Sequence, residues 1–402
     1  MANTLSFQQS ATILNGLMAQ LQGTANATVV DTDSFVSVAN TALMTGIDPL
    51  AMGISQVLDR TIFSQRPYTA KFKAMEKSAA EYGAWTRKIN YCDSPFVQDD
   101  GYPLTDGTSV DQYVIRKPEV IQLNFYGQNI VEDFITRTED QLKVAFRGPD
   151  EFGEFFAGAL TNLSAKHEQK TEAIARANLV NAITALYQGG GTEQVVHLLT
   201  EYNAETGLTP PLTATTVFDP ANFEPFMKWA YARIQLARDM MTERSVLYHM
   251  NITSPSAKYI NRHTPYNRQV LYMYAPILRE MQARVLSAAF NQERLEYKAI
   301  EIVNFWQDIN EPTKIVGKPV YMGADGSVYM KQTTPGTTDT ETITDCVFAL
   351  LVDDEFMGYR RYSEGMYATP INARGRYTNF WYHWRWQNWM DFTENAILFL
   401  LD

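Results

Sequence analysis

The sequence predicts an α+β fold, on three observations. Residues 150–188 carry one uninterrupted helical pattern, strand patterns of period two stand at 84–126 and beyond Glu296, and 191–295 mixes both kinds in the manner of an α/β lobe. The 402 residues suffice for two or three compact domains or for one elongated, multi-lobed molecule. With 45% hydrophobic and 20% charged residues, the composition is that of a folded chain.

The first 59 residues contain no Lys, Arg, His or Glu and only four Asp. Ala, Thr, Ser, Asn and Gln dominate, with scattered Leu, Val and Met: too apolar for a solvated tail, too sparse for a core of its own. This stretch reads as an arm that packs on something else, such as a neighbouring copy. Its character changes at Arg60, where Arg66, Lys71, Lys73 and Lys77 crowd one segment. Such a run is either a solvated face or an electrostatic contact with an acidic neighbour.

Residues 84–91, AWTRKINY, alternate as a strand, and after the turn-rich stretch around Asp99, Asp100, Gly101, Asp106 and Gly107 a second strand sets Ile121, Leu123 and Phe125 against Gln122 and Asn124. A two-stranded excursion of this kind is marginal alone in water, so it is expected to lie against another surface. Residues 133–146 are expected to lead, as a short helix, into the long one.

The long helix opens after Gly148 with Pro149 in the first turn and Asp150, Glu151 and Glu154 at the positive end of the dipole; it closes on Gly189, Gly190 and Gly191. Its apolar stripe is strong at Phe152, Phe156, Ala159, Leu160 and Leu163, and again at Ile174, Ala177, Leu179, Val180, Ile183 and Leu186. The middle, 166–170, is KHEQK, which predicts a wet centre between two sticky ends. An ordinary core helix broken near Gly153 or Gly158 is the alternative.

Beyond it, 193–208 is ambiguous. Asp219 and Pro220 start a helix with Phe223, Phe226, Met227, Ala230, Ile234, Ala237 and Met241 on one face. A strand is expected over 245–252, and helices over 255–263 and 266–290, the latter interrupted at Pro276. Strands then follow at 300–302 and in a hairpin over 320–330, turning at Ala324-Asp325-Gly326-Ser327. Residues 331–344 form a Thr-rich loop, and 346–352 a buried strand. In 379–391, NFWYHWRWQNWMD, Phe380, Tyr382, Trp384 and Trp386 fall on one side, with Trp381, Trp389, His383 and Arg385 on the other. Residues 396–401 are the last strand.

Signatures of chemistry are mostly lacking, and a carboxylate pair for glycoside cleavage is a spatial pair that sequence does not show. His167-Glu168 begins like a zincin motif, but Thr171 stands where the second histidine belongs. The five histidines are scattered, and neither Cys92 nor Cys346 has metal-ligand spacing. Gly189-Gly190-Gly191 lacks the following Lys of a phosphate loop, and no GxSxG elbow exists. Asp353-Asp354-Glu355 fits either a hard cation or a solvated strand end. The Trp-rich strand is either a stacking platform for sugars or bases or the packed face of a sheet. Arg374-Gly375-Arg376 is either a contact for a neighbouring acidic patch or a plain turn. A net charge of −11 excludes nucleic-acid coating by bulk electrostatics. Two cysteines suit a reducing compartment, the start has no basic n-region of a signal peptide, and 396–401 is far too short to span a bilayer.

In this order of arm, protruding hairpin, long helix, α/β lobe and terminal sheet, the chain resembles the major capsid proteins of tailed bacteriophages, with their Hong Kong 97-type fold. Residues 63–73, 125–146 and the closing Gly375-Arg376-Tyr377-Thr378-Asn379 to Asn395-Ala396-Ile397 look most like the capsid proteins of phi29-type short-tailed phages. The resemblance implies an N-terminal arm over 1–60 and an extended E-loop hairpin over 84–126. It implies a peripheral domain over 61–83 and 127–190 with the spine helix at 150–188, and an axial α/β domain over 191–295. Residues 296–402 would supply mainly peripheral-domain strands and the C-terminal sheet. Because the chain stops at Asp402 after that strand, no additional immunoglobulin-like domain is expected, and nothing marks the Lys–Asn cross-link of the type member.

By the same resemblance the chain is a structural virion protein, not an enzyme, and needs no cofactor or metal. It would assemble with itself, through hexamers and pentamers, into an icosahedral or prolate shell enclosing double-stranded DNA without binding it tightly. Portal and scaffolding proteins are the implied partners, the bacterial cytoplasm the place of assembly, and no membrane is involved. By layout, the contacts between copies are expected at Arg66, Lys71, Lys73, Asp99, Asp100, Asp106, Lys166, Lys170, Arg374 and Arg376. Two other readings compete: an encapsulin-like compartment or tail-tube protein, and a carbohydrate-active enzyme using the Trp-rich strand.

Overall fold

The computed structural model describes residues 11, 15, 68–78, 86–93, 106–109, 113, 115, 117–125, 129–138, 149–252, 260–284, 299–317, 320–330, 341–343 and 346–402. The arm read over 1–60 lies outside them, apart from Ala11 and Asn15.

A 3-10 turn at Lys73–Met75 precedes β1 (Thr86–Tyr91), β2 (Val120–Phe125) and β3 (Asn129–Thr138). Helix α1 (Pro149–Gly189) follows, then β4 (Val195–His197), α2 (Leu198–Thr206) and α3 (Pro220–Met240). Next come β5 (Gln269–Tyr274), α4 (Ala275–Arg284), β6 (Ala299–Val303), β7 (Ile315–Gly317), β8 (Val320–Met322) and β9 (Val328–Met330). The chain closes with β10 (Glu341–Ile343), β11 (Cys346–Asp353), β12 (Met357–Ala368), β13 (Tyr377–Met390) and β14 (Ala396–Leu401).

Two sheets organise these strands. One is five-stranded, ordered β4-β14-β11-β5-β6, with β14 and β5 antiparallel to β11, and β4 and β6 parallel to their neighbours. Its inner strands are apolar apart from Gln269 and Asp353 at their ends, as sheet cores buried on both faces require: every residue of β5 and of β14 is buried. The other is three-stranded, ordered β12-β13-β3, and antiparallel. β1 pairs with β2 alone, and small two-stranded ladders join β7 to β10 and β8 to β9.

α1 runs unbroken for 41 residues, about 60 Å at 1.5 Å per residue, so Gly153 and Gly158 do not interrupt it. It stops where Gly190 donates its N–H to the Leu186 carbonyl at 2.7 Å; a Cβ on Gly190 would stand 2.5 Å from that oxygen. Leu163, Ile174, Leu179, Val180, Ile183 and Leu186 are buried as the stripe requires, whereas Ala177 is exposed. Side chains 149–160 lie outside the described residues.

The centre of α1 is wet on one side only. Lys166, Gln169 and Lys170 are exposed, but Ser164, Glu168 and Thr171 are buried against the three-stranded sheet. There the Trp386 indole N–H donates to Thr171 Oγ1 at 3.1 Å, and the His167 ring lies 5.2 Å from Trp386 and 5.3 Å from Trp384. Glu168 accepts from the Ala70 N–H at 2.8 Å and from Arg361 at 2.7 Å; Arg361 also donates to Glu76 at 2.6 Å. A buried carboxylate needs this set of donors, which is why two distant segments converge on it.

The helix expected from Asp219 forms as α3, and its predicted face, Phe223 to Met241, is buried at every named position. The predicted alternation of β13 also holds: Phe380, Tyr382, Trp384 and Trp386 are buried. The hairpin over 320–330 turns through Gly326 at φ +81°.

Four expectations change. Residues 133–138 are strand, not helix: they belong to β3, which β13 pairs along ten residues, from Asn129 to Thr138. Residues 269–274 are strand β5 rather than helix, since a short apolar run buried on both faces carries no period that separates the two. Pro276 then sits in the first turn of α4, where its missing N–H costs nothing. Residues 245–252 form no ladder. They are held by an isolated bridge, Ser245 to Arg262, and by bonds to the β13–β14 connection, including Met250 N–H to the Phe392 carbonyl at 2.9 Å. The described end of the segment expected as helix over 255–263 is likewise not helical.

The boundary drawn at 295/296 does not separate two hydrogen-bonded units. β4 and β5 from one side of it share a sheet with β6, β11 and β14 from the other.

Replacing Glu168 with Ala is expected to lower stability by roughly 3 kcal/mol, because Arg361 and the Ala70 amide lose a buried acceptor. Lys170→Ala, one half-turn away on the wet side, is expected to stay within about 0.5 kcal/mol. Chemical denaturation of the two variants checks the contrast.

Candidate functional site

The chain crosses between the two sheets twice, at 354–356 from β11 to β12 and at 391–395 from β13 to β14. Both crossings are rich in carboxylates, and β1 inserts Lys88 among them. Its ammonium meets Asp391 at 2.8 Å, Glu355 at 3.0 Å and Glu394. Arg262 reaches Glu394 at 3.1 Å, Arg268 reaches Asp353 and Asp354 at 3.0 Å and Glu355 at 2.9 Å, and Lys77 reaches Asp354 at 3.4 Å. Asp353 also accepts from Thr264 at 2.9 Å. The carboxylates of 353–355 are thus engaged by cationic side chains, and no group of three or more potential metal ligands forms among the described residues.

Burial alone would lower the Lys88 ammonium, yet Asp391 and Glu394 together raise it above the ordinary lysine range. Burial pushes the Glu394 carboxyl up to about 7, with Lys88 and Arg262 opposing it only in part. Burial acts on Glu355 in the same direction, but there the Lys88 charge prevails and its carboxyl lies low.

Because Lys88 and Asn90 turn inward, the other face of β1 turns out. Ile89 is 53% and Tyr91 71% exposed, and Val120, opposite Tyr91 on β2, is exposed with them. The three-stranded sheet shows a second apolar surface: Ile130 is 65%, Phe134 50% and Tyr367 60% exposed, with Phe134 stacked on Trp381 at 4.7 Å. Exposed apolar patches rimmed by polar groups mark interaction surfaces.

The residues chosen from the sequence do not form one site. Arg66, Asp99 and Asp100 lie outside the described residues. Lys71 and Lys73 are exposed on the segment that crosses α1 at Glu168, and Asp106 is exposed in the turn before Gly107. Lys166 is exposed but pairs within its own chain with Asp133 at 2.7 Å, and Lys170 is exposed one turn on. Arg374 and Arg376 stand exposed in the β12–β13 turn, shaped by Asn372, whose side chain accepts the Gly375 N–H at 2.9 Å. Sequence reading missed the outward face of β1 and the Lys88 cluster. Alternation announced two faces of β1 without saying which was inner, and the partners of Lys88 lie some three hundred residues away.

The Trp-rich strand is a packed sheet face where Trp384 and Trp386 are concerned. Trp389 lines a cleft between β2, β13 and the β8–β9 turn; its one lining carboxylate among the described residues, Asp325, is bonded to Ser327.

Folded Glu394 holds its proton more tightly than the unfolded chain, so its contribution to stability is present at low pH and lost as pH rises through about 7. Glu394→Gln is therefore expected to melt close to the parent at about pH 5 and to gain on it by about pH 8. His249, lowered by burial, shifts stability the opposite way but equally in both proteins. Melting curves across that range check the difference.

A family model of phi29-like phage major capsid proteins matches residues 54–400. No curated protein sequence matches the chain. Among solved structures, the capsid structure of Staphylococcus phage Andhra is similar with a TM-score of 0.53 and 11% identity, covering 85% of this chain and 86% of that one. A chain in the structure of the head fiber and inner core protein gp22 of native bacteriophage P68 gives a TM-score of 0.52 at 13% identity, over 84% and 86% of the two chains. These likenesses carry the Hong Kong 97-type fold, and the family match carries the assignment: the chain belongs to the phi29-like phage major capsid proteins, and it is a shell-forming protein of the virion.

Proposed function

We propose that this protein assembles through hexamers and pentamers into a closed icosahedral or prolate shell around double-stranded DNA. The observation that carries this reading is the outward side of β1: the strand turns Lys88 and Asn90 to its own chain and offers Ile89 and Tyr91, with Val120 of β2 beside them, to the outside. A monomer gains nothing from keeping this patch in water; a subunit presents it to a neighbour. In this reading the hairpin is the E-loop, α1 the spine of the peripheral domain, the five-stranded sheet with α2 and α3 the axial domain, and 1–60 the arm. The basic residues Arg66, Lys71, Lys73, Lys166, Lys170, Arg374 and Arg376 and the acidic Asp99, Asp100 and Asp106 supply weaker, charged contacts between copies.

A net charge of −11 supports an inner wall that holds the genome without gripping it. Portal and scaffolding proteins are the further partners, and assembly takes place in the host cytoplasm.

Electron microscopy of the purified full chain tests the reading. Closed polyhedral shells, or hexamers and pentamers, are expected; open tubes, or a monomer at high concentration, would overturn it. Tyr91→Glu is expected to abolish shells while moving protomer stability by no more than about 0.5 kcal/mol, since the side chain is exposed. Charge reversal of Lys166 and Lys170 together is expected to weaken assembly more than stability, the Lys166–Asp133 pair being an exposed one worth about 1 kcal/mol at most.

A further inference from the structure

The β1–β2 hairpin joins the body by a route unlike that of any other strand pair in the molecule's two main sheets. Among the described residues it shares no ladder with either sheet. Its inward apolar residue Ile121 belongs to a small cluster with Ile252 and Ile260, and Met322 is the one side chain among the described residues that packs on both this cluster and the main core. What ties its root to the body is polar. Lys88 reaches Asp391, Glu394 and Glu355, Arg360 donates to Thr86 at 3.0 Å, and Gln387 donates to the Phe125 carbonyl at 3.2 Å. At the far end of β1, Asp93 accepts from the Asn261 N–H at 2.7 Å and pairs with Arg244.

We propose that Lys88 is a latch: it holds the hairpin against the junction of the two sheets, and its release lets the hairpin lift as a unit while both sheets stay folded. The carboxylates it leaves behind keep part of their bonding, Asp391 losing the donor on Oδ2 and retaining those on Oδ1. Asp391 accepts from the Thr393 N–H at 2.9 Å and hydroxyl at 2.6 Å, and Glu394 keeps Arg262 at 3.1 Å. Opening costs the charged bonds of one ammonium, the contacts of Thr86, Phe125 and Asp93 and a small apolar cluster, still less than opening the sheet of β5, β11 and β14, whose strands are buried. The latch is a property of the protomer and does not depend on the contact between copies proposed above.

Native-state hydrogen exchange on the full chain, kept below its assembly concentration, tests this. In the parent protein, amides of 86–91 and 120–125 are expected to exchange through an opening with a weaker denaturant dependence than those of 346–353 and 396–401. In Lys88→Gln the hairpin amides are expected to exchange on the order of tenfold faster or more, with the sheet amides unchanged, and Lys88→Arg is expected to restore protection. Hairpin amides that exchange only with global unfolding in the parent would overturn the proposal. So would Lys88→Gln accelerating hairpin and sheets in parallel, which would make Lys88 an ordinary member of the folded core.

Discussion

A helix about 60 Å long outruns either sheet in every direction, since even the longest strand, β13 with 14 residues, spans about 46 Å. Three strands at about 4.8 Å spacing span only about 14 Å, and five about 24 Å. α1 consequently lies across both sheets of this protein, touching β12 and β13 of one, β14 of the other, and the small strands β7 and β8. Everything else is arranged around that span. Where the helix crosses the three-stranded sheet its buried side is polar, and each polar group there meets a partner: Thr171 takes the Trp386 indole, Glu168 takes Arg361 and the Ala70 amide, and Asn178 bridges the Gly358 carbonyl and Asn388. Gly358 leaves room for its cross-strand neighbour, since a Cβ there would stand 2.6 Å from the Trp389 ring. Buried polar groups so paired specify one orientation of helix on sheet, where an oily face would tolerate several.

The same span leaves a seam between the sheets, and the chain crosses it twice with acidic residues. Carboxylates in a seam cannot be left alone, so Lys77, Lys88, Arg262 and Arg268 come to them from four other parts of the chain. The hairpin is anchored there as a consequence. Using the polar side of β1 for the anchor, it leaves Ile89 and Tyr91 of that strand outside, which inverts the usual arrangement on β1, while β2 keeps Ile121 and Leu123 inward.

That inversion suits a shell-forming protein. Closed assemblies are built from many self-complementary patches, each weak, whose sum closes the surface. Outward Ile89 and Tyr91 on the hairpin, and Ile130, Phe134 and Tyr367 on the sheet, are exposed apolar groups of the sort such contacts use. A protein whose work is contact between copies has no need of convergent catalytic groups, and its buried charges serve geometry.

Much was legible in the sequence by itself. The long helix was bounded by Pro149 and the glycine run, α3 by Asp219 and Pro220, β13 by its alternating aromatics, and β14 by its apolar run, because caps, breakers and period act within a few residues of where they are written. The order of these elements was enough for a resemblance to a capsid fold. Tertiary structure alone decided three things. It made 133–138 and 269–274 strands, since β13 and β11 offered ladders that local propensity does not see. It buried one side of the KHEQK centre of α1, since the donors for Glu168 come from Ala70 and Arg361, 98 and 193 residues away. And it turned Ile89 and Tyr91 outward, because a period of two announces that a strand has two faces, while only the charges waiting at Asp391 and Glu394 determine which of them is the inner one.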